Sequence, residues 1–302
     1  MTNDWILVGV DGGEGGETAV RYAARAAARM GLGLRLLHVA PELAYTLAVD
    51  PDTAPGGLPQ REKVLIDATE IALEVMGPGA RGRVVTDLAY GGRVARLLEA
   101  ATRCRLVVLG DQPRPLLDRL VTGSVLTGVA AKAPVPVIGV PAGCDGADAH
   151  GRVVAAVKWV EEWEPHFDRA LAIAAERGAH LVLLHAWESP MVDDDLLERE
   201  WKERARTDLE ELVTRRSEAN AEVGVEISIV HGQPAKAVVE ASRTADLLLV
   251  TRRPLAFPFG SLGGTGRAIL RESHCPVEVL PPATRRKHDG TGTEPDALGV
   301  MF

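Results

Sequence analysis

Three features in the first half of the sequence combine residue types and positions that suit nucleotide binding. Asp11 directly follows the apolar run Ile6–Val10, Gly110 directly follows the run Leu106–Leu109, and the pair Gly123-Ser124 precedes a helix-forming stretch. A carboxylate can accept hydrogen bonds from ribose hydroxyls. The free N–H groups of a helix N-terminus attract phosphate, and glycine lets the backbone approach it closely. On spacing alone, a turn followed by a helix N-cap explains Gly123-Ser124 at least as well.

These features need a scaffold that brings several strand ends to one edge. In the first half, short apolar runs alternate with helical patterns, which predicts a parallel sheet with helices on both faces. Ligands bind such sheets beyond the carboxyl ends of the strands, where the strand order reverses. The predicted strands are Ile6–Val10, Leu34–Val39, Arg83–Ala89, Leu106–Leu109 and Val137–Val140, and the predicted helices are Ala19–Met30 (capped by Thr18), Arg61–Met76, Gly92–Thr102 and Ser124–Lys132.

The same order of elements repeats after the polar stretch Gly143–Gly151, and LRLLHVA in the first half matches LVLLHAW in the second. We therefore predict one domain over 1–143, a linker over 144–150, a second domain over 151–281 and a disordered tail over 282–302. In the second half the predicted strands are Val153–Val157, Leu181–His185, Val225–Val230, Leu247–Val250 and Val277–Leu280, and the predicted helices are Phe167–Arg177, Asp195–Ala219, Pro234–Thr244 and Thr265–Glu272.

Charge, hydropathy and cysteine content indicate which partners and which cellular compartment to expect. The net charge of −8 offers no basic surplus for a nucleic-acid backbone. The opening residues MTNDWILVGV lack the basic region, apolar stretch and cleavage site of a signal peptide, so none is expected. No apolar run approaches the roughly 18 residues of a membrane span, and we therefore predict a cytoplasmic protein without a membrane partner. The three cysteines, Cys104, Cys144 and Cys275, form no C-x-x-C pair. Reduced thiols and no metal site are therefore expected.

A longer motif follows the fourth strand in both halves. Gly110-Asp111-Gln112-Pro113 is separated from Gly123-Ser124 by nine residues, and Thr251-Arg252-Arg253-Pro254 has the same spacing to Gly264-Thr265. Together with the opening ILVGVDGGEGGETAVRYAARAA, this pattern over about residues 4–281 resembles the universal stress protein family in its tandem two-domain form. The nucleotide-binding subset of that family carries G-x2-G-x9-G-[ST] at this place.

The resemblance implies a fold and a function. It implies two flavodoxin-like domains with strand order 3-2-1-4-5, packed as a pseudo-dimer through Val137–Val140 and Val277–Leu280. It also implies a cytoplasmic stress-response protein that binds ATP, with Mg as a companion ion, in the first domain. No catalytic residue and little or no turnover are expected, while the protein partner and a further homodimer stay open. The implied nucleotide contacts are Asp11, Val39 in the adenine slot, Gly110, Arg114, Gly123, Ser124 and Val125.

Departures from the family motif keep an alternative open. Pro113 replaces the second glycine and removes one N–H that could face phosphate. In the second half, Thr251 and Pro254 replace both early glycines, and Lys158 stands where Asp11 stands. A non-nucleotide interaction protein with both sites decayed is the alternative. Slow ATP hydrolysis would have only Asp11 as a general base.

Other residues with chemical potential suggest structural roles. His38 and His185 hold equivalent strand ends, which favours packing or a backbone hydrogen bond over catalysis. Ser124 lacks a G-x-S-x-G elbow, and no P-loop occurs. The loop DGGEGGET lacks the serines of an ATP pyrophosphatase loop. Arg252 and Arg253 could hold an anion, and Asp193-Asp194-Asp195 is more typical of a helix cap than of a cation site. Four tryptophans of the second half are expected at its altered pocket or at an interface: Trp159, Trp163, Trp187 and Trp201.

Overall fold

The computed structural model describes residues 4–41, 58–111, 125–144, 146–147, 149–188, 195–216, 222–252 and 262–282. Within them, ten strands form one sheet. The strands are β1 (Trp5–Val10), β2 (Gly33–Ala40), β3 (Val84–Tyr90), β4 (Leu106–Gly110), β5 (Val137–Val140), β6 (Arg152–Ala156), β7 (His180–Trp187), β8 (Val225–His231), β9 (Leu247–Thr251) and β10 (Val277–Leu280).

Helices connect the strands in both halves, and short 3₁₀ segments cover Pro78–Arg83 and Ser242–Thr244. None of the helices in the described ranges is long and apolar enough to cross a bilayer. The helices are α1 (Glu14–Met30), α2 (Leu58–Met76), α3 (Arg93–Ala101), α4 (Val125–Ala130), α5 (Val160–Arg177), α6 (Asp195–Arg216), α7 (Pro234–Ala241) and α8 (Gly263–Glu272).

The strand order is β3-β2-β1-β4-β5-β10-β9-β6-β7-β8. Each half is therefore a parallel sheet of order 3-2-1-4-5, as predicted. The halves join where β5 and β10 pair antiparallel, with Glu278 opposite Ile138. This confirms the predicted pseudo-dimer. The pairing covers two edges that would otherwise expose unpaired backbone groups.

Two helices begin five or more residues earlier than the sequence pattern predicts. α1 starts at Glu14, with Gly13 as its N-cap, rather than at Ala19. Thr18 is not the predicted cap, because it lies inside the helix and its hydroxyl donates to the Glu14 carbonyl at 2.9 Å. α5 starts at Val160 and contains Pro165, which sequence reasoning treats as a break.

The two faces of the sheet pack differently at the junction of the halves. On the face covered by α3, α4, α7 and α8, one hydrophobic cluster runs across both halves. Leu126 and Leu270, one from each half, lie directly over Gly139, where an added Cβ would come within 2.8 and 3.1 Å of their methyl carbons. On the opposite face, each half has its own cluster. The halves therefore share a core on one face only.

The second half begins with a backbone segment held by Asp246, just before β9. Its carboxylate accepts from the N–H groups of Ala149 at 2.7 Å, His150 at 2.9 Å and Arg152 at 3.1 Å. Burial raises the pKa of Asp246, but these backbone hydrogen bonds outweigh burial and leave the pKa below its usual value. The carboxylate therefore fixes the described end of the predicted linker against the second half.

Replacing Asp246 with asparagine is expected to lower the free energy of unfolding at pH 7 by about 1–3 kcal/mol, because three backbone N–H groups lose a charged acceptor. The folded-state pKa is depressed, so this stabilisation is present above the unfolded-state pKa and is lost as pH falls through the folded-state value. The stability gap between native protein and variant should therefore narrow toward pH 3. Urea unfolding across this pH range measures it, with exposed Asp4→Asn as control. A gap that widens in acid would contradict the role of the carboxylate.

Candidate functional site

The carboxyl ends of β1, β2 and β4 meet at one edge of the sheet. β1 pairs in parallel with β2, where Val10 lies opposite His38, and with β4, where Val8 lies opposite Val108. Strand order reverses between β1 and β4, which is the position where open parallel sheets bind ligands. Asp11, Val39 and Gly110 therefore lie at the carboxyl-terminal edge of the same sheet.

Asp11 is exposed at this edge, directly above the first turn of α1. Its Oδ1 accepts from the Gly13 N–H at 3.0 Å. Gly16 makes room for the carboxylate, because a Cβ at that position would lie 2.8 Å from Oδ1. Gly12 has φ of +80°, and a Cβ there would lie 2.8 Å from a methyl carbon of Val64 on α2. The glycine-rich loop thus positions one carboxylate at the strand ends.

Gly110 has a structural reason to be glycine. An added Cβ would lie 1.8 Å from the Gly15 carbonyl oxygen and 2.4 Å from its carbonyl carbon. The end of β4 therefore touches the backbone of the first turn of α1. This contact accounts for the first glycine of the motif without any ligand, while it also brings α1 and the end of β4 together beside Asp11.

The apolar side of this edge is formed by Val39 and Val125. Val39 is only 6% exposed and belongs to the hydrophobic cluster that includes Leu109. Val125, the first residue of α4, packs against the same cluster and is partly exposed. Both predicted contacts therefore lie on the face of the sheet that carries this cluster.

Three of the predicted phosphate contacts, Arg114, Gly123 and Ser124, lie outside the described residues, as do Pro113 and Pro254. In the described ranges, no group of three or more His, Cys, Asp or Glu side chains could hold a metal ion. The triple carboxylate Asp193-Asp194-Asp195 falls where side chains are not described. The role of Arg114, Gly123 and Ser124 as phosphate contacts therefore stays a prediction. The role of Asp193-Asp194-Asp195 as a helix cap also stays a prediction.

His38 and His185, at equivalent strand ends, each connect two neighbouring strands through a ring nitrogen. Nδ1 of His38 lies 2.8 Å from the Val10 carbonyl oxygen, and Nδ1 of His185 lies 3.0 Å from the Val157 carbonyl oxygen. Each ring therefore links the end of the second strand of its half to the end of the first. The backbone hydrogen bond predicted from their equivalence is confirmed.

A buried cation at this edge has no distinct sequence signal. Arg61 on α2 is 7% exposed, and its guanidinium carbon lies 5.7 Å from the ring centroid of Tyr90, the last residue of β3. In the sequence, Arg61 is the first residue of an amphipathic helical pattern, so it looks like a solvated charge. Burial over an aromatic ring is a cation–π contact that only the tertiary structure reveals.

The second half has lost the equivalent arrangement. Lys158 replaces Asp11, and its Nζ lies 5.6 Å from the ring centroid of Trp159. Both α1 and α5 end at a left-handed glycine, and counting back from these ends puts Glu162 in the place of Gly15. Thr251 stands in the place of Gly110. Both glycines of the close backbone contact have therefore been replaced.

Arg252 does not serve the anion site suggested from the sequence. It is 8% exposed, and its guanidinium donates to the carbonyl oxygens of Ala131, at 2.8 Å, and of Ala133. These carbonyls follow the C-terminus of α4, where a cation is favoured by the helix dipole. Arg252 therefore joins the second half to the first. Arg253 lies outside the described residues.

The tryptophans of the second half separate into core and surface residues. Trp163 is fully buried, and its Nε1 donates to the Ala156 carbonyl at 2.8 Å, so neither the predicted pocket nor the predicted interface applies to it. Trp187 stacks on Trp201 with ring centroids 6.4 Å apart and lies 4.5 Å from the ring of His231. This aromatic group covers the ends of β7 and β8, in agreement with a changed pocket edge.

Comparisons with known proteins agree with this duplicated architecture. A universal stress protein of Mycobacterium tuberculosis strain H37Rv is 27% identical over 311 residues, which cover 92% of this chain and 95% of that protein. A second one from the same strain is 27% identical over 290 residues, covering 91% and 96%. The crystal structure of a universal stress protein from Archaeoglobus fulgidus DSM 4304 has the same fold, with a TM-score of 0.67, 18% identity and coverage of 93% and 97%.

A family model gives the decisive match. The model of the Universal stress protein family matches residues 3–141 and, a second time, residues 150–281. The two matches correspond to the two five-stranded halves of the sheet. The chain therefore belongs to the universal stress protein family and carries its unit twice.

Proposed function

We propose that the first half of this stress-response protein binds an adenine nucleotide, ATP, beyond the carboxyl ends of β1, β2 and β4, with little or no turnover. Family membership supports the stress-response role, and members of the family are generally not enzymes. In the proposed complex, Asp11 accepts from the ribose hydroxyls and Val39 and Val125 contact the adenine. Gly110, Arg114, Gly123 and Ser124 face the phosphates and any Mg²⁺ that accompanies them. The protein would act in the cytoplasm.

The placement of Asp11 carries this proposal. Its carboxylate is exposed, oriented by the Gly13 N–H, and lies at the edge where strand order reverses. The second half offers a cation, Lys158, at the same place. A cation cannot accept from ribose hydroxyls. We therefore propose one nucleotide per chain, bound in the first half.

Replacing Asp11 with alanine is expected to weaken ATP binding about tenfold or more, because a charged acceptor of hydrogen bonds is lost. Calorimetric titration of nucleotide-free protein measures the affinity, and chromatography of the supernatant after denaturation shows whether nucleotide copurifies. Asp4→Ala is the matched control, since Asp4 is an exposed aspartate before the opposite end of β1. No released nucleotide together with no heat of ATP binding would exclude the proposal. Phosphate release from ATP should stay at background in native protein and in Asp11→Ala.

The second candidate function is a protein-interaction role without nucleotide. Pro113 favours it, because proline removes one N–H that could face phosphate. A Pro113→Gly variant separates the two candidates. ATP affinity that appears only in the variant would support a decayed site, whereas equal affinity in both proteins would support a working one.

A further inference from the structure

Helix α4, which begins with the proposed adenine contact Val125, has little helical stability of its own. It covers six residues, and isolated helices shorter than about 12 residues are marginal in water. Four of the six are β-branched residues or glycine, which are poor helix formers. The position of Val125 therefore depends on the contacts that hold α4 against the rest of the protein.

The second half supplies one of these contacts. The guanidinium of Arg252 donates to the carbonyl oxygen of Ala131 at 2.8 Å and to that of Ala133. Both carbonyls lie just beyond the last residue of α4, where backbone acceptors have no partner within the helix. An arginine at a helix C-terminus satisfies such acceptors. Arg252 therefore caps α4 from the other half of the chain.

Arg252 reaches α4 from a fixed backbone. Its N–H donates to the Leu280 carbonyl at 3.1 Å, which continues the pairing of β9 with β10. Because β5 and β10 are antiparallel, with Val137 opposite Val279, the start of β5 lies beside the end of β10. The chain between α4 and β5 therefore passes the strand ends of the second half, where Arg252 lies.

The equivalent contact cannot be made in the opposite direction. Asp111 directly follows β4, as Arg252 directly follows β9, so the two residues hold equivalent positions. An ionised carboxylate only accepts hydrogen bonds, so Asp111 cannot donate to the carbonyl oxygens at the end of α8. The cap thus runs from the second half to the first.

We propose that Arg252 is a positioning residue for the nucleotide site of the first half: it holds α4, and with it Val125, in the arrangement that binds the adenine. This role rests on the proposed function of the first half. It gives the second half a part in nucleotide binding although its own strand ends carry Lys158 in place of Asp11. If α4 kept this arrangement only a tenth of the time, the apparent affinity would fall about tenfold.

Hydrogen exchange and calorimetric titration with ATP, both on the full chain, test the proposal in Arg252→Met. Methionine keeps an apolar stem and removes the donors. In the ligand-free variant, the amides of residues 131–133, which donate to carbonyls of α4, should exchange about tenfold or more faster, while those of β1 stay unchanged. Affinity for ATP should fall about tenfold. Arg252→Lys keeps a charged donor and should limit this loss to about threefold.

A matched control separates this role from a general effect on stability. Arg243→Met removes an exposed arginine of the second half that pairs with Glu240, and it should change neither readout. Thermal unfolding checks that each variant folds, and Arg252→Lys decides the question if Arg252→Met does not. ATP affinity unchanged by the substitution of Arg252, or weakened equally by Arg243→Met, would overturn this role alone. No ATP binding by the native protein would reject the proposed function and this role together.

Discussion

Replacing Gly110 with alanine is expected to destabilise the protein by about 3 kcal/mol or more, at the upper end of what overpacking costs. The added Cβ would lie 1.8 Å from the carbonyl oxygen of Gly15. The clashing atoms belong to the backbone of α1, so no side-chain rotation can relieve the overlap. β4 and α1 would have to separate. Urea unfolding of native protein and variant measures the loss, and a variant that fails to accumulate in soluble form agrees with it.

The second half supplies a matched control in Gly264→Ala. Gly264 holds the motif position equivalent to Gly123 and lies in the first turn of α8. Among the described residues, an added Cβ there would meet no atom within 4 Å outside its own turn of helix. Alanine there should be neutral or stabilise by up to about 1 kcal/mol, because it restricts the unfolded chain. If Gly110→Ala is as harmless as this control, the close contact between β4 and α1 is wrong.

Replacing Arg169 with methionine is expected to cost about 3 kcal/mol in the free energy of unfolding. The change leaves the Glu278 carboxylate buried without its cation, and breaking a buried ion pair from one side typically costs about 3–5 kcal/mol. The lower end applies because the Arg169 side chain remains 28% exposed, whereas that of Glu278 is 3% exposed. Denaturant unfolding at neutral pH gives the loss.

The double variant Arg169→Met/Glu278→Ile shows whether the cost comes from the unpaired charge. Isoleucine is the residue at the equivalent position of the first half, Ile138. We expect the double variant to recover to within about 1 kcal/mol of the native protein, since apolar replacements of a buried pair are often neutral or stabilising. A double variant that is less stable than Arg169→Met would show that the pair contributes through something other than its charges.

The fold was predictable from the sequence because the alternation of strand and helix patterns is clear and occurs in both halves. Short apolar runs that alternate with helical patterns leave few arrangements besides a doubly wound sheet, and the repeat predicted the same order in both halves. The first residues of the helices were harder to predict, because glycine and proline are poor helix formers. The first turn of α1 is rich in glycine, and α5 contains Pro165, so the sequence pattern places both starts too late. The domain limits 1–143 and 151–281 stay a prediction, and the tail from residue 283 lies outside the described residues.

The candidate site was predictable only in part. The positions of Asp11, Val39 and Gly110 follow from parallel strand ends, which a sequence pattern can indicate. The reason for Gly110 could not be found that way, because it depends on how closely α1 approaches β4. Glu278 leaves one signal, a charged residue in the otherwise apolar strand Val277–Leu280. Its partner Arg169 lies on a helix more than a hundred residues earlier, so only the tertiary structure reveals the pair.

The antiparallel pair of β5 and β10 also determines which residues can lie on the pseudo-twofold axis between the two halves. In a symmetric homodimer, a residue on the twofold axis faces its own copy, so a glutamate at that position would meet a second glutamate in a dry environment. Here Glu278 faces Ile138, and a single arginine serves a single carboxylate. Because both units belong to one chain, the two positions on the axis can carry different residues, and a charge can lie on one side of the interface only.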